Sequence, residues 1–257
     1  MDHLPARTGW EWLKQGVGLF RKQPAALTTL LFTSILVALV IGVIPYVGTL
    51  LVGVLVPSFS MAILRACQMI DNGERVTPAV LLTGFRQPAL ARLWKVGVVY
   101  TLVFAVLILV ASVATPESMR HLSMDVKLEP GDKLPFSGSD FLTMLGLAIL
   151  QNVSLLTLCF AAPLAYWKHM GPGKATFYSF FAVVRAARVF GMLLLSWFGM
   201  FAGALIVVVL LTGLLFNATA ITQAAALWLM FLFILFLQCA IYAGYRDIFG
   251  KPPAQPA

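Results

Sequence analysis

Residues 25–64 read AALTTLLFTSILVALVIGVIPYVGTLLVGVLVPSFSMAIL, without a single Asp, Glu, Lys, Arg or His. A helix needs about 20 apolar residues to cross roughly 30 Å of hydrocarbon, so this run holds two spans. Pro45-Tyr46-Val47-Gly48 falls between them and leaves room only for a tight turn. The run is too long for the core of a signal peptide and holds no A-x-A cleavage site, so a retained span is expected there.

The same reading extends outward. Residues 189–245 are also free of charge and hold two more spans, joined by the short uncharged stretch around 217–223. Residues 96–116 and 141–167 hold one each, separated by a longer segment rich in Pro, Gly, Ser and acid. The predicted spans are roughly 25–44, 47–66, 94–114, 142–166, 191–214 and 224–244. Composition agrees. Of 257 residues, 60% are hydrophobic and 11% charged, with a mean hydropathy of +0.92, whereas soluble domains carry about 25% charged residues. The expected fold class is an all-α membrane protein.

Lys and Arg set the orientation. Of the 18 basic residues, only Arg120, Lys127 and Lys133 fall on one side of the predicted spans. The N-terminal segment, the segments after the second and fourth spans, and the C-terminal tail carry the rest. The basic side is therefore read as cytoplasmic, with both termini on it. The net charge of +8 and the pI near 9.7 do not point to nucleic acid, because the cations are dispersed beside spans and form no recognition module. Their natural partners are anionic lipid head groups on the cytoplasmic leaflet, with other membrane proteins or a second copy of the chain as further candidates.

Each basic segment before a pair of spans has helical periodicity. Trp10, Leu13, Val17 and Phe20 recur on one face of the first, and Phe177, Phe180, Phe181 and Val184 on one face of the third. The second, 77–88, opens with Thr77-Pro78 and stops at Pro88. The reading is six transmembrane helices as three hairpins, each preceded by a short amphipathic interfacial helix. The units run about 8–71, 77–169 and 173–250 within a single polytopic membrane domain covering residues 1–257.

Candidate functional residues are few. Gln151, Asn152 and Gln238 are amides inside spans, and such groups either line a polar site or hydrogen-bond between helices. Pro57 and Pro163 are candidate kinks. Lys14, Arg21, Lys22, Arg86, Arg185 and Arg188 are candidate head-group contacts. Small residues at every fourth place, Ser58/Ala62/Ala66, Gly199/Gly203 and Ala240/Gly244, mark expected close helix contacts. Cys67, Cys159 and Cys239 lack metal-ligand spacing and read as space-filling residues, and His3, His121 and His169 are too dispersed for a metal site. The acids of the outer segment, such as Glu117 and Asp125, read as a solvated loop, and Asn217-Ala218-Thr219 matches a glycosylation sequon only weakly. No nucleophile elbow, zinc motif or phosphate-binding loop is present, so neither an enzyme nor a cofactor is expected.

Four clusters carry a resemblance: Gly9-Trp10-x-Trp12 with Gly16-x-x-x-Phe20-Arg21-x-x-Pro24; Pro78-x-x-Leu81-Leu82-x-Gly84-Phe85-Arg86; Ala162-Pro163-Leu164 with Trp167; and Tyr242-x-x-Tyr245-Arg246-Asp247-Ile248-Phe249. Together they resemble an uncharacterised family of six-span inner-membrane proteins from proteobacteria. The resemblance implies a bacterial inner membrane and six helices, and supplies no activity. The expected role is a non-enzymatic membrane component that interacts with lipids or partners. The alternative is a small-molecule or lipid transporter or channel, which requires Gln151, Asn152 and Gln238 to converge beside Pro57 and Pro163.

Overall fold

The computed structural model describes residues 4–45, 47–115, 138–216 and 219–253, all of them helical or connecting segments without a strand. The outer acids Glu117 and Asp125, together with His3, His121, Asn217 and Ala218, lie outside the described residues. The helices are α1 (Thr8–Lys22), α2 (Pro24–Gly42), α3 (Val47–Asp71), a 3-10 helix (Pro78–Phe85), α4 (Ala89–Ala114), α5 (Gly138–Leu158), α6 (Ala161–Trp167), α7 (Pro172–Arg185), α8 (Ala187–Phe216) and α9 (Thr219–Phe249). Among the described residues, six segments are long and apolar enough to cross a membrane, with mean hydropathy between 1.9 and 2.7. They are α2, α3, α4, α5 with α6, α8 and α9, the six that the charge-free runs predict. α3 and α9 run on past the predicted ends, to Asp71 and Phe249.

Helices in lipid gain little from the hydrophobic effect against one another, so close backbone approach at small residues does much of the packing. Gly97 of α4 lies against α3: a Cβ there would sit 1.9 Å from the Val54 carbonyl oxygen. Ser58, Ala62 and Ala66 are buried along α3, as the small-residue pattern predicts. Gly199 and Gly203 of α8 behave otherwise, since nothing lies within 4 Å of a Cβ built on either.

The fourth span is broken. α5 ends at Leu158 and α6 begins at Ala161, because Pro163 has no N–H to continue the ladder across this turn. Pro163 thus sits in the first turn of a new helix. Neighbouring helices take up the freed groups. Ser179 of α7 accepts from the Phe160 N–H (3.1 Å) and donates to the Thr157 carbonyl (2.6 Å), and the Tyr100 hydroxyl of α4 donates to the Leu158 carbonyl (2.5 Å).

Two of the three expected amphipathic segments differ from their prediction. α1 buries Gly9, Trp12, Leu13, Gly16 and Leu19, a face rotated from the predicted one, and that face meets protein: it packs on the first turns of α8 and the last turns of α9. Cβ atoms at Gly9 and Gly16 would lie 2.2 Å from the Val189 oxygen and 2.7 Å from the Ala240 nitrogen. Residues 77–88 form only the 3-10 helix, because Pro78 and Pro88 bracket too little chain for a longer one. In α7, Phe177, Phe180, Phe181 and Val184 are all exposed, while Ala175, Ser179 and Val183 pack inward.

Candidate lipid-contact surface

The side-chain network at the helix ends shows which segments share one end of the bundle. Trp12 Nε1 of α1 donates to Asp247 (2.8 Å), and Arg246 Nη1 contacts both Asp71 carboxylate oxygens (3.1 Å). Tyr242 also donates to Asp71 (3.2 Å), and Arg246 Nη2 to Gln15 (2.7 Å). Gln68 Nε2 donates to the carbonyls of Pro252 and Pro253 (3.3 and 3.0 Å), which holds the tail against α3. Arg92 Nη1 meets His169 Nδ1, bringing the start of α4 to the end of α6. This end, which also carries the 3-10 helix and α7, is the basic end. At the opposite end the hydroxyls of Thr212 and Thr222 meet at 2.8 Å between α8 and α9.

Aromatic rings fill the space behind the polar network. Trp12 meets Phe190 edge-on (5.6 Å between centroids), Phe160 meets Phe190 and Phe249 (5.7 and 5.5 Å), and Trp167 meets Tyr245 (4.7 Å). Such pairs contribute about 0.5–1.5 kcal/mol each beyond their buried area. Trp12, Trp167, Tyr242, Tyr245, Arg246, Asp247 and Phe249, all among the residues that carry the resemblance, meet in this knot.

The amides do not converge. Gln151 and Asn152 are exposed on α5, and Asn152 Nδ2 donates back to the Ala148 carbonyl (2.8 Å). Gln238 is half-buried in α9 and accepts from Ser60 Oγ of α3 (3.3 Å). α5 packs on α4 and α7, and α9 on α1, α3 and α8, so the two sets belong to different parts of the bundle. Pro57 is buried within α3 and Pro163 within α6.

The candidate head-group contacts lie at the basic end. Lys14, Arg21 and Lys22 are exposed on α1, and the Lys14 ammonium sits 5.2 Å from the Trp10 ring centroid. Arg86 is exposed where the 3-10 helix ends, and Arg185 and Arg188 are exposed at the junction of α7 and α8. α7 adds the apolar half of the surface. Phe177, Tyr178, Phe180, Phe181 and Val184 are between 42% and 59% exposed. The rings are ordered against each other, Phe177 to Phe181 at 4.5 Å and Phe180 to Phe181 at 5.5 Å. Lys174 stands at one end, its Nζ 5.9 Å from the Tyr178 ring, and Arg185 with Arg188 at the other. α7 is thus held to protein on one side and exposes aromatic rings on the other, with cations at both ends.

Six apolar spans with their polar segments gathered at the two ends decide the class. This is a multi-pass integral membrane protein. A probable inner membrane protein of Burkholderia thailandensis is similar to it, 28% identical over 268 residues that cover 98% of this chain and 95% of that protein. No family model matches the chain, and no solved structure matches it.

Sequence reasoning missed two features here. It left Cys67 and Cys239 as unrelated space-filling residues, whereas their sulfurs meet at 3.1 Å between α3 and α9. It also paired no basic residue with an acid of the chain itself, while Arg246 is engaged by Asp71 and Gln15. Neither pairing leaves a local signal, because the partners are far apart in the chain.

Proposed function

We propose that this protein is a non-enzymatic component of a bacterial inner membrane that engages anionic lipid head groups of the cytoplasmic leaflet. Both termini lie on that side. The exposed aromatic face of α7, with Lys174, Arg185 and Arg188 at its ends, is the observation that carries this reading. The rings would enter the boundary between acyl chains and head groups, where apolar burial contributes about 25 cal/mol per Å2. The cations would meet lipid phosphates at about 1 kcal/mol each. The name printed for the similar protein, a probable inner membrane protein, supports the location.

The test is native mass spectrometry of the full chain released from mixed phosphatidylcholine and phosphatidylglycerol. The wild type should retain phosphatidylglycerol in preference to phosphatidylcholine. The triple variant Lys174→Gln, Arg185→Gln, Arg188→Gln should retain several-fold less, with an unchanged melting temperature. Equal retention by the two proteins would refute the reading. In the alternative, a transport path through Gln151, Asn152 and Gln238, the amides stand on α5 and α9, which pack on different neighbours.

A further inference from the structure

A cavity of about 600 Å3 opens at the basic end between α3, the 3-10 helix, the start of α4 and the end of α6. Its polar wall consists chiefly of Arg65, Arg86, Arg92, Tyr166, His169 and Thr83, and no Asp or Glu is among the described residues that line it. The three guanidiniums form a gradient of depth: Arg65 is only 6% exposed, Arg92 half-exposed and Arg86 fully at the surface. Arg65 is fixed in place, since its Nη1 donates to Gln68 Oε1 (2.5 Å) and Gln68 is tied to the tail through Pro252 and Pro253. Arg92 Nη1 also meets His169 Nδ1 at this wall. Pro88 and Ala89 bring the N-terminus of the 26-residue α4 to the same wall, and no side chain caps it.

We propose that this cavity is a binding site for a phosphate-bearing anion. Arg86 and Arg92 place two like charges on one wall with no acid among the described lining residues, and an anion between them turns their repulsion into attraction. The planar forks of arginine match phosphate oxygens two at a time, and an uncapped helix start adds backbone donors and the positive end of its dipole. The volume falls within the usual range for small-molecule sites, about 300–1,000 Å3, and exceeds what a bare phosphate fills. Met69, Val80 and Ala89 supply apolar wall for the remainder of the ligand. Two sources offer this chemistry, a lipid head group entering from the leaflet and a soluble phosphate entering from water. Only the lipid source rests on the membrane-contact reading above.

The experiment uses the full chain in phosphatidylcholine nanodiscs and follows its melting temperature as phosphatidylglycerol is included in the disc, or as inorganic phosphate or glycerol 3-phosphate is added to the buffer. Either class of probe should raise the melting temperature of the wild type. The double variant Arg86→Gln, Arg92→Gln, which leaves the buried Arg65 in place, should need about tenfold more probe for the same rise. Thr83→Trp, which fills the cavity without altering charge, should weaken the response similarly. The α7 triple variant should respond like the wild type, which separates this site from the surface contacts. A rise with phosphatidylglycerol alone identifies the lipid source, and a rise with the soluble probes identifies free phosphate. No rise with any probe, or an equal rise in the wild type and both cavity variants, overturns the proposal.

Discussion

Gly97 and Gly199 are the same residue type in helices of similar hydropathy, yet they meet opposite surroundings. A methyl group at Gly97 would collide with the backbone of α3 at Val54, while one at Gly199 meets open space. Gly97→Ala should therefore cost about 1–3 kcal/mol, the usual range for overpacking. Gly199→Ala should change stability by less than about 0.5 kcal/mol, as for an unconstrained surface position. Equilibrium unfolding of the detergent-solubilised variants measures both, and equal effects would contradict the α3–α4 contact. At this scale the sequence is only partly legible. The spacing of small residues correctly marks Ser58, Ala62 and Ala66 as buried positions along α3, while Gly199 and Gly203, marked by the same rule, meet no other helix of this chain. The amides Gln151 and Asn152 mislead in the same way. A mid-span amide signals a polar site only if its helix face turns inward, and Asn152 instead bonds the carbonyl four residues back, as Thr28, Thr29, Thr33 and Ser34 do in α2. Hydropathy reports that a residue lies in a span and not which way it faces.

Whole elements read more clearly, because a span is decided by length and by absence of charge, both of which are visible in a linear string. All six appear where the charge-free runs place them. The exceptions are elements whose form depends on neighbours. The fourth span breaks at residues 159–160, where Ser179 and Tyr100 receive the groups that the break leaves open, and no local pattern reveals those partners. Ser179→Ala should strip the Phe160 N–H and the Thr157 carbonyl of a shared partner in a buried setting and cost about 1–3 kcal/mol. Ser179→Thr, which keeps the hydroxyl, should recover part of that loss. Thermal unfolding followed by circular dichroism distinguishes the two, and identical melting of Ser179→Ala and the wild type would show that the hydroxyl does not seal the break. For α1 the helix was legible and its partner was not: periodicity shows an apolar face but cannot tell lipid from a pair of protein helices. In α7, Phe177, Phe180, Phe181 and Val184 are exposed on the face that the spacing assigned to them.

At the scale of the whole molecule the basic end is a clasp between the beginning and the end of the chain. Cys67 of α3 and Cys239 of α9 lie behind it with their sulfurs 3.1 Å apart, both fully buried. A membrane-permeant oxidant should join them. In the Cys159→Ala background, mass spectrometry of the cyanogen bromide digest should then find the two cysteine peptides linked, and no link should form when Cys67 is also replaced by Ala. Two free thiols after exhaustive oxidation would contradict the register of α3 against α9. The clasp also has a consequence for how the protein is made. Trp12 and its partner Asp247 are separated by 235 positions, and a ribosome adds roughly 5–20 residues per second. For roughly ten to fifty seconds after Trp12 is synthesised, its docking surface on α8 and α9 does not yet exist. During that interval α1 is a nascent amphipathic segment whose apolar face, Trp12, Leu13 and Leu19, must be sheltered by the bilayer surface or by the insertion machinery. α9 is thus the helix whose emergence releases α1.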